Sequence, residues 1–396
     1  MAVQDTSRHE PQRSSFLNDP VVRGRLYQLL TVVIVAAFVW FIADNTAANL
    51  ARQNKTTGFD FFWFTSGFDI QFSLIPYSRA STYGTAFLVG ILNTMLVAVI
   101  GVFFASLLGF MVGIARLSNN FIISRLALIY VETLRNVPLL LQLVFWYFAV
   151  LKSMPGVRQS FIFLDGVVLN QRGLYLPKVV TDAQFAWVWG ALALSIVAIV
   201  VLQRWAHKRL EATGQRFPVF WTALGVLVVL PLVAGLISGT HLSVDLPVLK
   251  GFNYAGGIGL PPELVALCLG LIFYTATFIS EIVRAGIQSV SYGQTEAAQA
   301  LGLRDGDRLR LVIIPQAMRV IIPPLASQYL NLTKNSSLAI AIGYPDLVSV
   351  FMNTTLNQTG RAIEVVFITM LVYLTLSLAT SSFMNWYNRR IALVER

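Results

Sequence analysis

The sequence predicts an all-α, polytopic membrane protein with about eight membrane-spanning helices, and three observations support this prediction. First, 56% of the 396 residues are hydrophobic and only 12% are charged, whereas an ordinary soluble domain carries about 25% charged residues. Second, the apolar residues gather into eight stretches, most of them close to the roughly 20 residues that a membrane-crossing helix needs. Third, 19 of the 29 Lys and Arg residues fall in segments on one side of those stretches, and cytoplasmic loops retain positive charge in this way.

The eight stretches differ in how clearly they indicate a membrane span. The first follows a polar segment and has no small-residue cleavage pattern behind it, so we expect a retained span and not a signal peptide. The third is short, begins at Pro138 and is extended by the amphipathic segment before it. The predicted spans are 26–43, 84–113, 137–151, 184–203, 218–238, 262–284, 320–343 and 363–386.

The distribution of Lys and Arg predicts the orientation of the chain. The inner segments hold 19 of these residues and the outer segments hold 9, which places both the N-terminus and the C-terminus in the cytoplasm. Two long outer segments, 44–83 and 152–183, are rich in aromatic residues and are expected to pack on the outer membrane face. Because the basic residues are scattered and form no stripe, the lipid bilayer is the expected partner and nucleic acid is not.

The sequence offers no pattern typical of covalent catalysis or of a metal site. The single cysteine, Cys268, lies in an apolar stretch, and the three histidines His9, His207 and His241 are far apart. These residues cannot build a disulfide framework and are not spaced as zinc ligands. The phosphate-binding pattern G-x-x-x-x-G-K-[ST] is absent from the 396 residues, so this chain is not expected to bind ATP through a P-loop or to be an enzyme.

The segment 285–319 carries the most specific local pattern in the chain. Thr295 or Gly293 can open a short helix there. Glu296 would then lie in the first turn, where the helix dipole favours a negative charge. The alanines that follow, Ala297, Ala298 and Ala300, are strong helix formers.

Gly302 stands where a residue in the left-handed conformation is needed to end that helix. Asp305 can cap the next helix, and Pro315 is predicted to limit it. A helix this short is not stable alone in water. We therefore expect it to dock into a groove of a cytoplasmic partner, and the alternative is a plain surface loop that joins two spans.

A longer pattern in the same segment resembles the EAA loop of permeases from ATP-binding-cassette (ABC) importers. The matching residues are Glu296, Ala297, Ala298, Gly302, Val312, Ile313, Ile314 and Pro315. Val312 stands where the family usually has Ile, and Ile314 stands where it usually has Leu; both residues stay apolar. The resemblance implies a MetI-like permease core with additional helices. It also implies that the loop forms a coupling helix held by two ATPase subunits, which bind the ATP, so that this chain needs no cofactor.

Other motifs resemble the histidine/glutamine branch of polar amino-acid permeases. They are Arg116-Leu-Ser118, Tyr130-Val-Glu132, Arg135-Asn-Val-Pro138, Phe278-Ile-Ser-Glu281, Arg284-Ala-Gly286 and Asn331-Leu-Thr-Lys334. Three outer segments are similar to those of the larger, Q-type permeases of general L-amino-acid importers: Gly58-Phe59-Asp60, Gly67-Phe68-Asp69-Ile70 and Asn170 to Pro177. The resemblance implies a bacterial inner-membrane location and an L-amino-acid substrate. It further implies a periplasmic amino-acid-binding protein and a homologous second permease as partners.

The same resemblance divides the chain into parts. A cytoplasmic tail, 1–25, precedes an additional first span and its periplasmic segment, 26–83. The permease domain is then 84–390, with an inserted region at 152–261 and the cytoplasmic coupling loop at 285–319. The family core has five spans, so the first span and the two within the insertion are additional.

Lys334 is the sharpest candidate for a residue on the transport path. A cation at the centre of a membrane helix costs about 2.5–3.5 kcal/mol on insertion scales and is tolerated only near water or a counter-charge. Asn331 and Ser337 lie three residues to either side and line the same predicted path. The alternatives are a structural ion pair of Lys334 with Glu281 or Glu132, or an ammonium that reaches the membrane interface.

Two oppositely charged pairs stand three residues apart, at Glu281 and Arg284 and at Glu132 and Arg135. This spacing predicts an ion pair on one helix face, worth about 0.2–0.5 kcal/mol when exposed. A role in gating is the second interpretation of both pairs.

Two other classes of membrane protein fit the sequence less well. A secondary amino-acid transporter driven by an ion gradient would show symmetric halves and acidic residues inside its spans, and this chain shows little of either. A membrane-embedded enzyme would place His, Cys or carboxylate clusters at membrane depth.

Overall fold

A computed structural model of the chain describes residues 20–52, 58–163, 166–215 and 217–391. Within these residues seven helices are long and apolar enough to cross a membrane, or eight if one sharply bent pair is counted as a single span. The helical membrane architecture predicted from the sequence is therefore confirmed. Most of the predicted cytoplasmic tail, 1–25, lies outside the described residues.

Most of the described residues lie in α-helices. In chain order these are α1 Pro20–Arg52, α2 Tyr83–Arg116, α3 Phe121–Asn136, α4 Leu139–Val144, α5 Ala186–Thr213, α6 Val219–Ser238, α7 Pro262–Gln288, α8 Tyr292–Ala300, α9 Asp305–Arg308, α10 Ile314–Asn335, α11 Leu356–Thr359 and α12 Ala362–Ile391. Segments of π-helix occupy Phe145–Leu151, Leu309–Ile313 and Val348–Thr355, and a 3₁₀-helix occupies Ser336–Ile342.

The bent pair explains why the third predicted span is short. Helices α3 and α4, the latter continued by its π segment, meet at an angle of 105°. Pro138 lies at the break, and a residue that precedes proline is disfavoured in helical conformation; Val137 is accordingly extended, with φ −91° and ψ 128°. The Gln142 amide donates to the carbonyl oxygens of Leu134 at 2.7 Å and Val137 at 3.0 Å, so backbone groups freed by the break are satisfied.

The prediction that Pro315 limits the preceding helix is wrong. One candidate span runs from Asp305 to Ile342. It consists of α9, the π segment Leu309–Ile313, α10 and the 3₁₀ segment Ser336–Ile342. In a regular α-helix the proline ring would clash with the carbonyl group four residues earlier. In this span the Ile314 N–H instead donates to the carbonyl of Leu309, five residues back, and this wider turn lets the helical run continue through Pro315.

The centre of the bundle is the crossing of α2 and α7, where glycines let the two backbones approach. A Cβ atom added to Gly109 would lie 2.6 Å from Cβ of Ile279, and one added to Gly113 would lie 2.8 Å from the Ser280 carbonyl oxygen. Small residues at four-residue spacing are the usual means of close helix packing in membranes. Ile279, which meets the first of these glycines, is fully buried.

Eight short strands in the predicted inserted region add to the helical fold. They are β1 Phe161–Phe163, β2 Val167–Asn170, β3 Gly173–Leu176, β4 Lys178–Thr181, β5 Leu242–Asp245, β6 Val248–Lys250, β7 Asn253–Ala255 and β8 Ile258–Leu260. An antiparallel sheet has the order β1-β2-β3-β8, while β4 pairs with β5 and β6 pairs with β7. All of them connect to the ends of spans that the charge bias places outside.

The three additional helices bury little of their surface. In the most apolar 18-residue stretch of each helix, none of the residues is buried in α1 or α6, and 6% are buried in α5. Helices α5 and α6 pack on each other, and the Ser195 hydroxyl donates to the Val226 carbonyl at 3.2 Å. The described core is therefore built by the five spans that the resemblance assigns to the permease family.

Candidate functional site

The predicted coupling segment contains an isolated nine-residue helix, α8. It begins at Tyr292, directly after Ser291, whose backbone is extended. The predicted start at Thr295 or Gly293 is therefore too late by up to a turn, and Glu296 is the fifth residue of the helix and does not lie in its first turn. The local signal for this end was weak, because no side chain makes a capping hydrogen bond at the start of α8.

The end of α8 has the geometry that the sequence predicts for Gly302. Its φ is +71°, in the left-handed region that favours glycine. The Gly302 N–H donates to the Gln299 carbonyl at 2.9 Å and the Leu303 N–H donates to the Ala298 carbonyl at 3.1 Å. These two bonds form a Schellman motif, which satisfies the last carbonyls of the helix and turns the chain away from its axis.

One face of α8 rests on the permease core and the rest of the helix is open. Ala298 is only 3% exposed, whereas Tyr292 is 72% exposed and Leu301 is 80% exposed. Glu296 and Ala297 are exposed as well. A short, exposed helix on the predicted cytoplasmic side, flanked by an exposed tyrosine and an exposed leucine, has the features of a docking element for another protein.

The segment after α8 corrects a second local prediction. Asp305 does not cap the next helix: the N-cap is Arg304, which makes no side-chain bond to the helix, and Asp305 is the first residue of α9. Its carboxylate instead pairs with the Arg308 guanidinium, with 3.0 Å between Oδ1 and NH1. An ion pair one turn along the helix thus replaces the capping bond.

Helix α8 contacts the permease core through α10, which packs on α7. The Gln316 amide on α10 donates to the Gln294 side chain on α8 at 3.1 Å. A Cβ atom added to Gly286 on α7 would lie 2.3 Å from Cγ1 of Ile321 on α10, so α7 and α10 are in close contact next to the coupling segment. Helix α8 therefore contacts α10, which in turn packs closely on α7.

A cluster of charges joins the inner ends of α2 and α7. The Glu281 carboxylate binds the guanidinium groups of both Arg284 and Arg116, and Arg284 also donates from Nε to Glu281 Oε1 at 3.2 Å and from NH1 to Gln288 at 2.6 Å. The pair with Arg284 follows the predicted three-residue spacing. The partner that the sequence did not predict is Arg116, which comes from a helix 165 residues earlier.

The second predicted pair does not form. No ion pair joins Glu132 to Arg135 among the residues that the structure describes. The guanidinium of Arg135 instead lies over the ring of Phe278 on α7, 5.3 Å from its centroid. This cation–π contact places the charge between α3 and α7, and it replaces the local contact on the surface of α3.

The predicted path residues lie at the end of α10 and at the start of the 3₁₀ segment. Lys334 and Asn331 are exposed within this single chain, and the Ser337 hydroxyl donates to the Lys334 carbonyl at 2.7 Å. In the described part of the chain, Lys334 forms an ion pair with neither Glu281 nor Glu132. The ion pair, one of the two alternative interpretations, is thus not present among the described residues, and the ammonium is open to a partner subunit, a substrate, solvent or the membrane interface.

Comparison with known proteins decides the family. Residues 201–393 match the family described as binding-protein-dependent transport system inner membrane component. The general L-amino acid transport system permease protein AapQ of Rhizobium johnstonii is 54% identical over 100% of this chain and 99% of its own length. This chain belongs to the same family of ABC importer permeases. The permease protein YhdX of Escherichia coli is 51% identical to this permease, over 96% of this chain and 97% of its own length.

A third relative shows how far the likeness extends within the family. The glutamate/glutamine/aspartate/asparagine transport system permease protein BztB of Rhodobacter capsulatus is 39% identical to this permease, over 98% of this chain and 99% of its own length. The likeness to these full-length relatives therefore includes the additional first span and the region of short strands.

This permease also uses the outer motif Gly58-Phe59-Asp60 in a contact that local reasoning missed. The guanidinium of Arg361, the residue directly before α12, donates to the Gly58 carbonyl at 2.9 Å and lies 3.0 Å from an oxygen of Asp60. The Gly58 N–H donates in turn to the Glu364 carboxylate at 2.7 Å. Arg361 is only 8% exposed, so this network fastens the segment after α1 to the outer end of α12.

Proposed function

We propose that this permease is the membrane subunit of an importer that carries L-amino acids of broad range from the periplasm to the cytoplasm. The observation that carries the proposal is the exposed coupling helix α8, which ends in the left-handed turn at Gly302. A short helix of this kind needs a partner surface. The amino-acid substrate is supported by the full-length likeness to AapQ and BztB.

The partners follow from what this chain lacks and exposes. Its sequence has no P-loop, so we assign the binding of ATP to two separate ATPase subunits. These subunits also bind α8. A homologous second permease completes the path, and a periplasmic binding protein delivers the amino acid to the outer face. The charge bias of the sequence supports an inner-membrane orientation with both termini in the cytoplasm.

The mechanism is a change in access and involves no covalent chemistry. ATP binding closes the ATPase subunits and displaces α8. Helix α8 is hydrogen-bonded to α10, and α10 packs closely on α7. Displacement of α8 therefore tilts α7 and α10 as well. Access to the path between the two permeases then alternates from the outer to the inner side.

Affinity purification of the tagged permease from its native membrane is expected to recover a P-loop ATPase and a second permease, identified by mass spectrometry. The matched variant is Ala297→Trp, which places a large ring on the exposed side of α8 and is expected to lose the ATPase while keeping the second permease. Equal recovery of the ATPase with this variant would contradict the role of α8. Uptake that follows an ion gradient and needs no ATP would instead support the secondary-transporter alternative.

We further propose that Lys334 lines the transport path with Asn331 and Ser337. The exposed ammonium at the end of α10 can meet a substrate carboxylate, and such a charge-assisted bond contributes about 1.5–3 kcal/mol. Lys334→Met is therefore expected to lower amino-acid uptake into proteoliposomes about ten-fold or more. The control is Lys208→Met on α5, where an exposed lysine lies away from the permease core. Normal uptake and an unchanged substrate range for Lys334→Met would rule out this role.

A further inference from the structure

A polar cleft opens on the predicted outer face of the permease, at the junction of the short strands with the membrane helices. Its volume is about 400 Å³, within the range of small-molecule sites. Strands β3, β7 and β8, the start of α7 and the residue after the π segment Phe145–Leu151 contribute to its walls. The polar lining side chains include Lys152, Arg172, Tyr175, Asn253 and Glu263.

The motif from Asn170 to Pro177 builds one wall of this outer cleft. The Asn170 side chain accepts a bond from the Arg172 N–H at 2.8 Å and donates to the Ser160 hydroxyl at 2.9 Å, which fixes the turn between β2 and β3. Gly173 has φ +125°, and an added Cβ would lie 2.1 Å from the Leu260 carbonyl oxygen. Only glycine lets β3 approach β8 this closely, so the motif fixes the backbone from which Arg172 lines the cleft.

The same wall presents a positive charge beside fixed hydrogen-bonding groups. The Arg172 guanidinium donates from NH1 to the Phe252 carbonyl at 3.1 Å, and its other N–H groups have no bond to a carboxylate in the described residues. The Tyr175 hydroxyl donates to the Asn253 side chain at 2.8 Å. Burial raises the pKa of Tyr175, so the phenol stays a neutral donor.

The cleft lining also carries a carboxylate and a second cation. Glu263, whose side chain is 14% exposed, accepts a bond from the Tyr147 hydroxyl at 2.7 Å. The Lys152 ammonium is 43% exposed and lies 3.9 Å from the same carboxylate, at the limit of an ion pair. The Lys152 ammonium also lies over the Tyr147 ring, 5.0 Å from its centroid. Glu263 is therefore held in place by Tyr147, and the cleft lining carries two positive charges and one negative charge.

We propose that the outer cleft binds a free L-α-amino acid by the two charged groups that all such molecules share. The α-carboxylate binds Arg172 and Lys152, since guanidinium and ammonium groups form the stronger, charge-assisted bonds with carboxylates. The α-ammonium binds Glu263. Recognition of these groups leaves the substrate side chain unread, which suits a broad substrate range. This inference rests on the proposed function and assigns its outer-face substrate site.

The test measures binding of radiolabelled L-glutamine to the permease–ATPase complex in lipid nanodiscs, without binding protein, by equilibrium dialysis. Arg172→Gln and Lys152→Met, which each remove one positive charge from the cleft lining, are each expected to raise the dissociation constant about ten-fold. The matched control is Arg158→Gln, which removes a charge from the same outer region: Arg158 lies over the Phe252 ring at 5.8 Å and does not line the cleft. The control is expected to bind L-glutamine as the wild type does.

Three results would overturn the proposal. The first is wild-type affinity in both cleft variants, and the second is no L-glutamine binding by a wild-type complex that still transports it with its binding protein. The third is a loss confined to the affinity for the binding protein, which would make the cleft a protein-docking surface. Each leaves the importer function intact, whereas a wild-type complex that transports no amino acid would refute the proposed function itself.

Discussion

A valine in place of Gly302 is expected to leave the basal ATP hydrolysis of the assembled importer near its normal rate and to abolish its stimulation by loaded binding protein. The φ of +71° at this position lies in the left-handed region, which costs other residues roughly 1–2 kcal/mol and a β-branched residue more. An added Cβ would meet no atom within 4 Å, so the whole cost arises from the backbone. Helix α8 has only nine residues, and so short a helix has little stability of its own. The backbone cost is therefore expected to disrupt the end of α8.

The conservative variant separates backbone geometry from the mere presence of a side chain. Gly302→Asn adds a side chain of similar size, but asparagine tolerates the left-handed conformation better than other non-glycine residues. It is expected to keep most of the stimulation, measured as ATPase rate against binding-protein concentration in proteoliposomes. Full stimulation in Gly302→Val, or equal losses in both variants, would show that the Schellman turn does not transmit the signal.

Gly302 was predictable because its signal is local. A run of alanines followed by glycine predicts both the helix and the conformation that ends it, and the structure contains both. The beginning of α8 was predicted less well, because Ser291 makes no capping bond and extended backbone alone starts the helix. The continuation of the helical run through Pro315 also escaped prediction, since it depends on a π-type turn that residue preferences do not indicate.

Apart from the Asp305–Arg308 pair on α9, the contacts that sequence reasoning missed join distant parts of the chain. Spacing along a helix predicts Glu281 with Arg284, yet it says nothing of Arg116, and it predicts a pair for Arg135 that a ring from another helix replaces. The short strands were missed for a similar reason. Segments of three or four residues carry too little alternation to be distinguished from loops, and their pairing is set by neighbours up to 86 residues away, as between Leu174 and Leu260.

Gly109→Val is expected to prevent close packing of α2 on α7 and to lower the thermal stability of the permease sharply. An added Cβ would lie 2.6 Å from both Cβ and Cγ2 of Ile279, closer than real Cβ atoms approach, and Ile279 is fully buried. Overpacking of a dense core costs typically about 1–3 kcal/mol, and occasionally more. The effect is measured as the midpoint of thermal unfolding, followed by size-exclusion chromatography of the detergent-solubilised chain after heating.

The matched control is Gly225→Val on α6, where an added Cβ would meet no atom within 4 Å. Its midpoint is expected to stay near that of the wild type. Similar midpoints for both variants would mean that the crossing of α2 and α7 is looser than the structure shows.

Gly109→Val also tests whether the inner charge cluster of Arg116, Glu281 and Arg284 depends on the crossing of α2 and α7. Arg116 lies two turns beyond Gly109 on α2, and it reaches Glu281 on α7 only because the backbones are close at Gly109 and Gly113. Glu281→Gln is thus expected to destabilise the wild type more than it destabilises Gly109→Val, because the second background has already separated the partners. Residues that share one contact deviate from additivity in this way. Strictly additive effects would instead mean that Glu281 acts through Arg284 on its own helix, and that no charge pair links the two helices.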